Sequence, residues 1–246
     1  MPDVNQSQAI LELSNLQKHF GALRVLDGIN LTVPKGSILG MIGPNGAGKT
    51  TLFNVIAGVL PVNGGAIRFQ GKDITKVSVW NRSRQGIGRT YQIPKPFSNM
   101  SVFENVLAAA LHGGGLAMGD ASFHAEEVLE QVNLAHRSET QAGELSLLDL
   151  KRLELAKALG SAPRLLLLDE IAGGLTDAEC DTLLQIISDV SSRGTTIVWI
   201  EHVLRALRRA ADSIVVLYGG KLIANGSPDA VLADKAVKDV YLGAGE

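Results

Sequence analysis

Gly43-Pro44-Asn45-Gly46-Ala47-Gly48-Lys49-Thr50 decides how this 246-residue chain is read. The octet matches G-x-x-x-x-G-K-[ST], a phosphate-binding loop, and each position has a mechanical reason. Glycines let the backbone turn so that several N–H groups face one anion. A helix starting near Lys49 adds the positive end of its dipole. Lys49 brings a mobile charge to β- and γ-phosphates, and the Thr50 hydroxyl is a ligand for Mg²⁺. The nucleotide-binding candidates are therefore Gly43, Pro44, Asn45, Gly46, Ala47, Gly48, Lys49 and Thr50, with Thr51 beside them. The setting agrees, because the apolar run Ser37–Ile42 precedes the loop and helical spacing over Thr50–Leu60 follows it.

A phosphate loop needs an acidic partner. Leu165-Leu166-Leu167-Leu168-Asp169-Glu170 reads as a buried strand from which two carboxylates emerge. Asp169 is expected to hold Mg²⁺ through its water shell, and Glu170 to polarise an attacking water. His202 follows the strand candidate Thr195–Ile200, on the edge where α/β sheets bind ligands, within reach of a γ-phosphate. Gln92 lies between the sheet-forming part and a more helical block.

Further strands are expected at Ile10–Leu13, Arg24–Val33, Ala66–Phe69, Arg164–Leu168 and Ser213–Leu217, with Gly64-Gly65 as a turn. Helices are expected at Ala121–Val132, Leu147–Leu159 and Ala178–Ser192. Val/Ile/Leu-rich strands alternating with helices imply a parallel sheet covered on both faces. Residues 93–160 read as a helical subdomain within one domain spanning 1–246.

Composition bounds the partners. The net charge is −2, from 23 Lys+Arg against 25 Asp+Glu, which argues against nucleic-acid binding by bulk charge. Cys180 is the only cysteine, so an intrachain disulfide and a Cys-only zinc site are excluded. Met1–Ala9 is polar and carries no signal-peptide pattern. No apolar run reaches the roughly 18 residues a membrane span needs. A soluble protein that docks on a membrane partner fits this pattern.

The phosphate loop, Gln92, Asp169-Glu170 and His202 stand in the order of the Walker A, Q-loop, Walker B and H-loop of ABC-type ATPases, which the chain resembles from about Leu11 to Gly243. Gly88-Arg89-Thr90-Tyr91-Gln92 and Phe97–Val106 resemble the ATPases of branched-chain amino acid importers. So does the tail from Gly226-Ser227-Pro228 to Gly243, although the lipopolysaccharide-export ATPase has a related one.

The resemblance implies an α/β P-loop fold: a mostly parallel core sheet, an N-terminal antiparallel part and an inserted helical subdomain. It implies ATP and Mg²⁺ as cofactors, a peripheral place at the cytoplasmic face of the membrane, and three kinds of partner. These are membrane permease subunits, a second ATPase chain (identical or different) meeting it head to tail, and indirectly a solute-binding protein. Phe20 matches the position that stacks on adenine, with a core phenylalanine as the alternative. Gln92 is implied as γ-phosphate sensor and metal ligand, Glu170 as catalytic carboxylate and His202 as switch histidine. Phe97, Met100 and Phe103 are implied as contacts to the membrane subunit, or as packing within the helical block. An exporter ATPase and a nucleotide-dependent switch without transport remain alternatives.

The signature motif departs from the family's Leu-Ser-Gly-Gly-Gln. Here it reads Leu145-Ser146-Leu147-Leu148-Asp149. Ser146 is expected to cap a helix, with Asp149 completing something close to a capping box. The two leucines remove the close backbone approach that glycine permits, and Asp149 brings a negative charge toward another chain's γ-phosphate. Ile171 stands where proline is usual, and Gly173-Gly174-Leu175-Thr176-Asp177 where the D-loop falls. Paired with a different ATPase of intact signature, the chain would form one competent and one impaired site.

Overall fold

The structure, a computed structural model, describes residues 9–242, so Met1–Gln8 and Gly243–Glu246 lie outside the described residues. Strand β3 (Ile38–Ile42) is buried at all five positions. Its side chains divide by the two-residue period of a strand. Leu39 and Met41 enter one apolar core, Ile38 and Ile42 the other. Strands β7 (Leu165–Asp169), β8 (Thr196–Ile200) and β9 (Ser213–Tyr218) divide in the same way. This is why continuous apolar runs, rather than alternating ones, mark these strands.

With β6 (Ile87–Arg89) and β10 (Lys221–Gly226) they form one sheet in the order β10-β9-β3-β8-β7-β6. It is parallel except for β10, which returns antiparallel along β9. A second, antiparallel sheet has the order β2-β1-β4-β5, from β1 (Ala9–Phe20), β2 (Leu23–Pro34), β4 (Gly64–Phe69) and β5 (Lys72–Asp73). Its inner face and helix α1 (Lys49–Ile56) share the first core with the parallel sheet. Gly64 and Gly65 belong to β4 and are not a turn. Gly65 has φ +82° and lies against the irregularity in β1, where an added Cβ would stand 2.3 Å from the Asn15 carbonyl oxygen.

Helix α1 stops four residues before its expected end, because Gly58 turns into the left-handed region. Arg82, on the short helix α2 (Val79–Arg84), is buried and donates to the carbonyls of Val55 and Ile56 at 2.8 and 2.7 Å. That caps the C-terminus of α1 with a cation. Sequence spacing misses α2, whose inward residue is charged.

The inserted helices cover the other face. They are α3 (Val102–Ala108), which runs into a π-turn at Ala109–Gly114, then α4 (Met118–Gln131) and α5 (Leu147–Gly160). Ser101 and Glu104 form a full capping box at the start of α3. Helices α6 (Asp177–Ser192), α7 (Leu204–Ala210) and α8 (Pro228–Ala233) complete this layer, and α9 (Lys235–Leu242) ends the described chain. None of the helices described is long and apolar enough to cross a membrane.

Candidate active site

The phosphate loop joins β3 to α1 at the C-terminal edge of the parallel sheet. Two glycines are there for close approach. A Cβ at Gly43 would stand 2.2 Å from the Leu217 carbonyl oxygen, and one at Gly48 2.8 Å from that of Val25. The loop is thus pressed between β9 and β2. Lys49 is buried, and its Nζ donates to the carbonyls of Gly43 (2.7 Å) and Pro44 (3.1 Å). Burial lowers its pKa, and the carboxylates of Glu170 and Asp169 oppose that shift. A cleft of about 300 Å³ brings Asn45–Thr51 together with Val25, Gln92 and Glu170. Val25 is a wall of this cleft that no motif announces.

Glu170 leaves β7 with φ +49°, a left-handed conformation unusual for a residue with a side chain. This bend aims its carboxylate across the cleft. Gln92 Nε2 donates to Oε2 at 2.5 Å, and His202 Nε2 stands 2.7 Å from Oε1. Three residues far apart in sequence therefore meet at one carboxylate, and His202 faces Glu170. Asp169 is buried, which raises its pKa, while Arg89 opposes the shift from 3.1 Å. The Asp169 N–H donates to the Thr90 hydroxyl oxygen at 3.1 Å.

Thr50 hydroxyl, Gln92 amide oxygen and Asp169 carboxylate are hard oxygen donors, the type Mg²⁺ selects when phosphates complete its shell. Among the described residues no group of three or more His, Cys, Asp or Glu gathers as a metal cage. The donor set fits a cation shared with a nucleotide.

Phe20 ends β1 with 48% of its surface exposed, so it is not a core residue, and Lys18 Nζ lies 4.8 Å from its ring centroid. Of the three apolar candidates in the Gln92–Phe103 segment, Phe97 is exposed and Phe103 packs on the helical core.

Sequence reasoning missed a clamp. Helix α5 turns Lys151, Glu154 and Lys157 toward the Gln92 segment, at three-residue spacing on one face. Lys151 Nζ donates to the main-chain carbonyls of Gln92 (2.8 Å) and Glu170 (3.4 Å). Glu154 accepts from the N–H groups of Tyr91 (3.1 Å) and Lys95 (3.0 Å), and Lys157 donates to the Lys95 carbonyl. Lys151 and Glu154 are both buried, and burial lowers the Lys151 pKa. Glu201 is a second missed support. It is buried, and accepts from the N–H groups of Ala172, His202 and Val203 at 2.8, 3.0 and 3.2 Å. It thereby fixes the turn that carries His202. The only signal was a charged residue inside an apolar pattern, which by itself reads as a solvated face. Replacing Glu154 by Ala leaves two part-buried N–H groups without their acceptor, so we expect a loss of about 1–3 kcal/mol in urea unfolding, with Glu154→Gln recovering part of it.

Ser146 caps α5 by accepting from the Asp149 N–H at 3.2 Å. The expected box does not close, because the Asp149 carboxylate turns to Arg152 at 3.2 Å. Asp is one methylene too short to reach back easily to the capping residue. The negative charge expected to face a neighbouring phosphate is thus largely buried and paired within the chain. Leu147 is 47% exposed and lies over the D-loop, where a Cβ at Gly174 would meet its Cδ2 at 3.4 Å. Ile171 is fully buried in the core of the helical face, which explains an apolar residue there.

Known proteins resemble this chain over most of its length. The ABC transporter family model matches residues 26–173, and a model for branched-chain amino acid ATP-binding cassette transporters matches 221–246. The high-affinity branched-chain amino acid transport ATP-binding protein BraF of Pseudomonas aeruginosa is 36% identical, over 96% of this chain and 99% of its own length. A probable branched-chain amino acid transport ATP-binding protein, LivG of Methanocaldococcus jannaschii, is 32% identical over 98% and 100%. The lipopolysaccharide export ATP-binding protein LptB of Haemophilus influenzae is 33% identical over 96% and 98%. An ABC-transporter ATP-binding cassette solved in its ADP conformation superposes with a TM-score of 0.88 at 32% identity, covering 96% of this chain and 99% of that one. A family model over more than half of the sequence, and relatives matched end to end, place the chain in the ABC transporter family as one of its ATP-binding, ATP-hydrolysing subunits.

Proposed function

We propose that this chain is the energy-coupling ATPase of an importer for branched-chain amino acids or related small solutes. It works at the cytoplasmic face of the membrane with permease subunits, a second ATPase chain and, indirectly, a solute-binding protein. The observation that carries the catalytic part is the Gln92–Glu170–His202 cluster at the mouth of the phosphate loop. The importer class is supported by the match over 221–246 and by the BraF and LivG relatives.

In this reading the loop N–H groups hold the phosphates, Lys49 transfers from its own loop carbonyls to the β- and γ-oxygens, and Phe20 stacks on the base. Thr50, Asp169 and the Gln92 amide oxygen hold Mg²⁺. Held there, Mg²⁺ would supply positive charge to offset that of the phosphates. Glu170 accepts a hydrogen bond from the attacking water, oriented by Gln92 and His202. Ser146 completes the partner's site across the dimer. The groove between the sheet core and the inserted helices, about 240 Å³ and lined by Val59, Val79, Tyr91 and Lys157, receives the permease.

The experiment is reconstitution in proteoliposomes with permease, binding protein and second ATPase. ATP-dependent uptake of leucine, isoleucine or valine supports the importer. The LptB likeness favours an exporter as second reading, and ATP-driven lipid extraction without uptake would select it. Turnover with neither activity would select a non-transport switch.

The leucines of the signature make a separate prediction. Leu147→Gly with Leu148→Gly restores close approach to a partner's γ-phosphate. We expect ATP turnover of the purified chain to rise on the order of tenfold or more. Unchanged turnover, alone and with the second ATPase, would show that these leucines do not limit hydrolysis.

A further inference from the structure

Arg89 touches three things at once. It sits on β6 with a side chain only 9% exposed. Its Nη2 donates to Asp169 Oδ2 at 3.1 Å, and its Nη1 to Asn54 Oδ1 on α1 at 2.5 Å. Its guanidinium lies 5.2 Å from the ring of Tyr91, which is exposed at the groove. Arg89 itself lines that groove with Tyr91, Val59 and Lys157. Its third nitrogen, Nε, is buried and finds no acceptor among the described residues. A buried N–H left unpaired is disfavoured, so an acceptor arriving in the groove gives the guanidinium a reason to turn. A planar fork that turns cannot keep both Nη bonds in place.

We propose that Arg89 is the positioning residue that ties the aim of the Asp169 carboxylate, and so magnesium capture, to the state of the groove beside it. The proposal rests on Asp169 as the magnesium carboxylate. Arg89 holds one Asp169 oxygen, and Asn54 anchors the same guanidinium to the helix that begins with Lys49 and Thr50. Occupation of the groove and capture of the cation then bias one side chain, and linkage makes the effect reciprocal. That reciprocity allows a test without the permease.

The affinity of a fluorescent ADP is measured with EDTA and with Mg²⁺ for the unaltered chain, Arg89→Lys, Arg89→Met and Asp169→Asn. A Tyr91→Trp reporter, its ring beside Arg89, is followed while Mg²⁺ is added to the ADP complex. Arg89→Met should cut the gain in affinity due to Mg²⁺ by about 10–100-fold, as expected when the partner of a ligating carboxylate is lost, with metal-free affinity unchanged. Arg89→Lys keeps the charge without the fork and should fall between, which keeps the test open if Arg89→Met does not fold. The reporter should respond to Mg²⁺ in the Arg89 background and not beside Met or Lys. An unaltered Mg²⁺ gain in both Arg89 variants, or an equal reporter response, overturns the proposal. If Asp169→Asn also keeps the full gain, the magnesium reading of Asp169 fails first. If Asp169→Asn loses it while both Arg89 variants keep it, only the role of Arg89 fails.

Discussion

Glu170→Gln should lower ATP turnover by about 10²–10⁴-fold, the range that a positioned acid–base group contributes. The substitution keeps size and shape, so nucleotide affinity and melting temperature should stay close to those of the unaltered chain. What it removes is a carboxylate. Gln92 already donates to one of its oxygens, and His202 stands against the other. An amide keeps one acceptor oxygen and replaces the other by an NH₂ donor, so Gln92 and His202 no longer both face a carboxylate oxygen and the water loses a charged acceptor. Phosphoryl transfer to water depends on placement and electrostatics, which is why so small a change is expected to matter so much. The check is steady-state phosphate release beside equilibrium binding of ATP. Turnover within about tenfold of normal would mean that another group orients the water.

Lys49→Ala should weaken ATP binding by about 10–100-fold and abolish measurable turnover, each charge-assisted bond to phosphate being worth about 1.5–3 kcal/mol. The fold should hardly respond. Lys49 is buried, and desolvation lowers its pKa, so placing its ammonium there costs free energy. Its only hydrogen bonds among the described residues are to the carbonyls of Gly43 and Pro44. A loop that keeps a buried cation turned back on itself is built for something other than stability. Lys49→Arg should remain defective, since the larger planar group does not fit the space of a point charge. Isothermal titration with ATP and thermal unfolding separate the two effects. A large fall in melting temperature with intact affinity would contradict this account.

Much of the site was legible because its chemistry is local. A phosphate loop needs its glycines, lysine and threonine consecutively, as one backbone segment wraps one anion. Asp169 and Glu170 are readable because a buried strand must end before charges can appear. The clamp of Lys151 and Glu154 was not legible, since its partners are main-chain groups about 60 residues away, with no side-chain signature. The core position of Ile171 and the Asp149–Arg152 pair were hidden for a related reason: the alternatives differ only in what surrounds them.

By itself the sequence determined the phosphate loop, the strand before it, the acidic pair and the α/β class, because these rest on spacing along the chain and on burial of continuous apolar runs. Tertiary structure alone decided that Gln92 and His202 converge on Glu170, and that Arg89 spans from the groove to Asp169. It also decided that Phe20 lies at the surface and that Asp149 is neutralised within the chain. Those outcomes depend on which strand lies beside which. Parallel pairing of β6, β7 and β8 brings residues 89, 169 and 201 to one edge of one sheet, and no spacing in the sequence states that order.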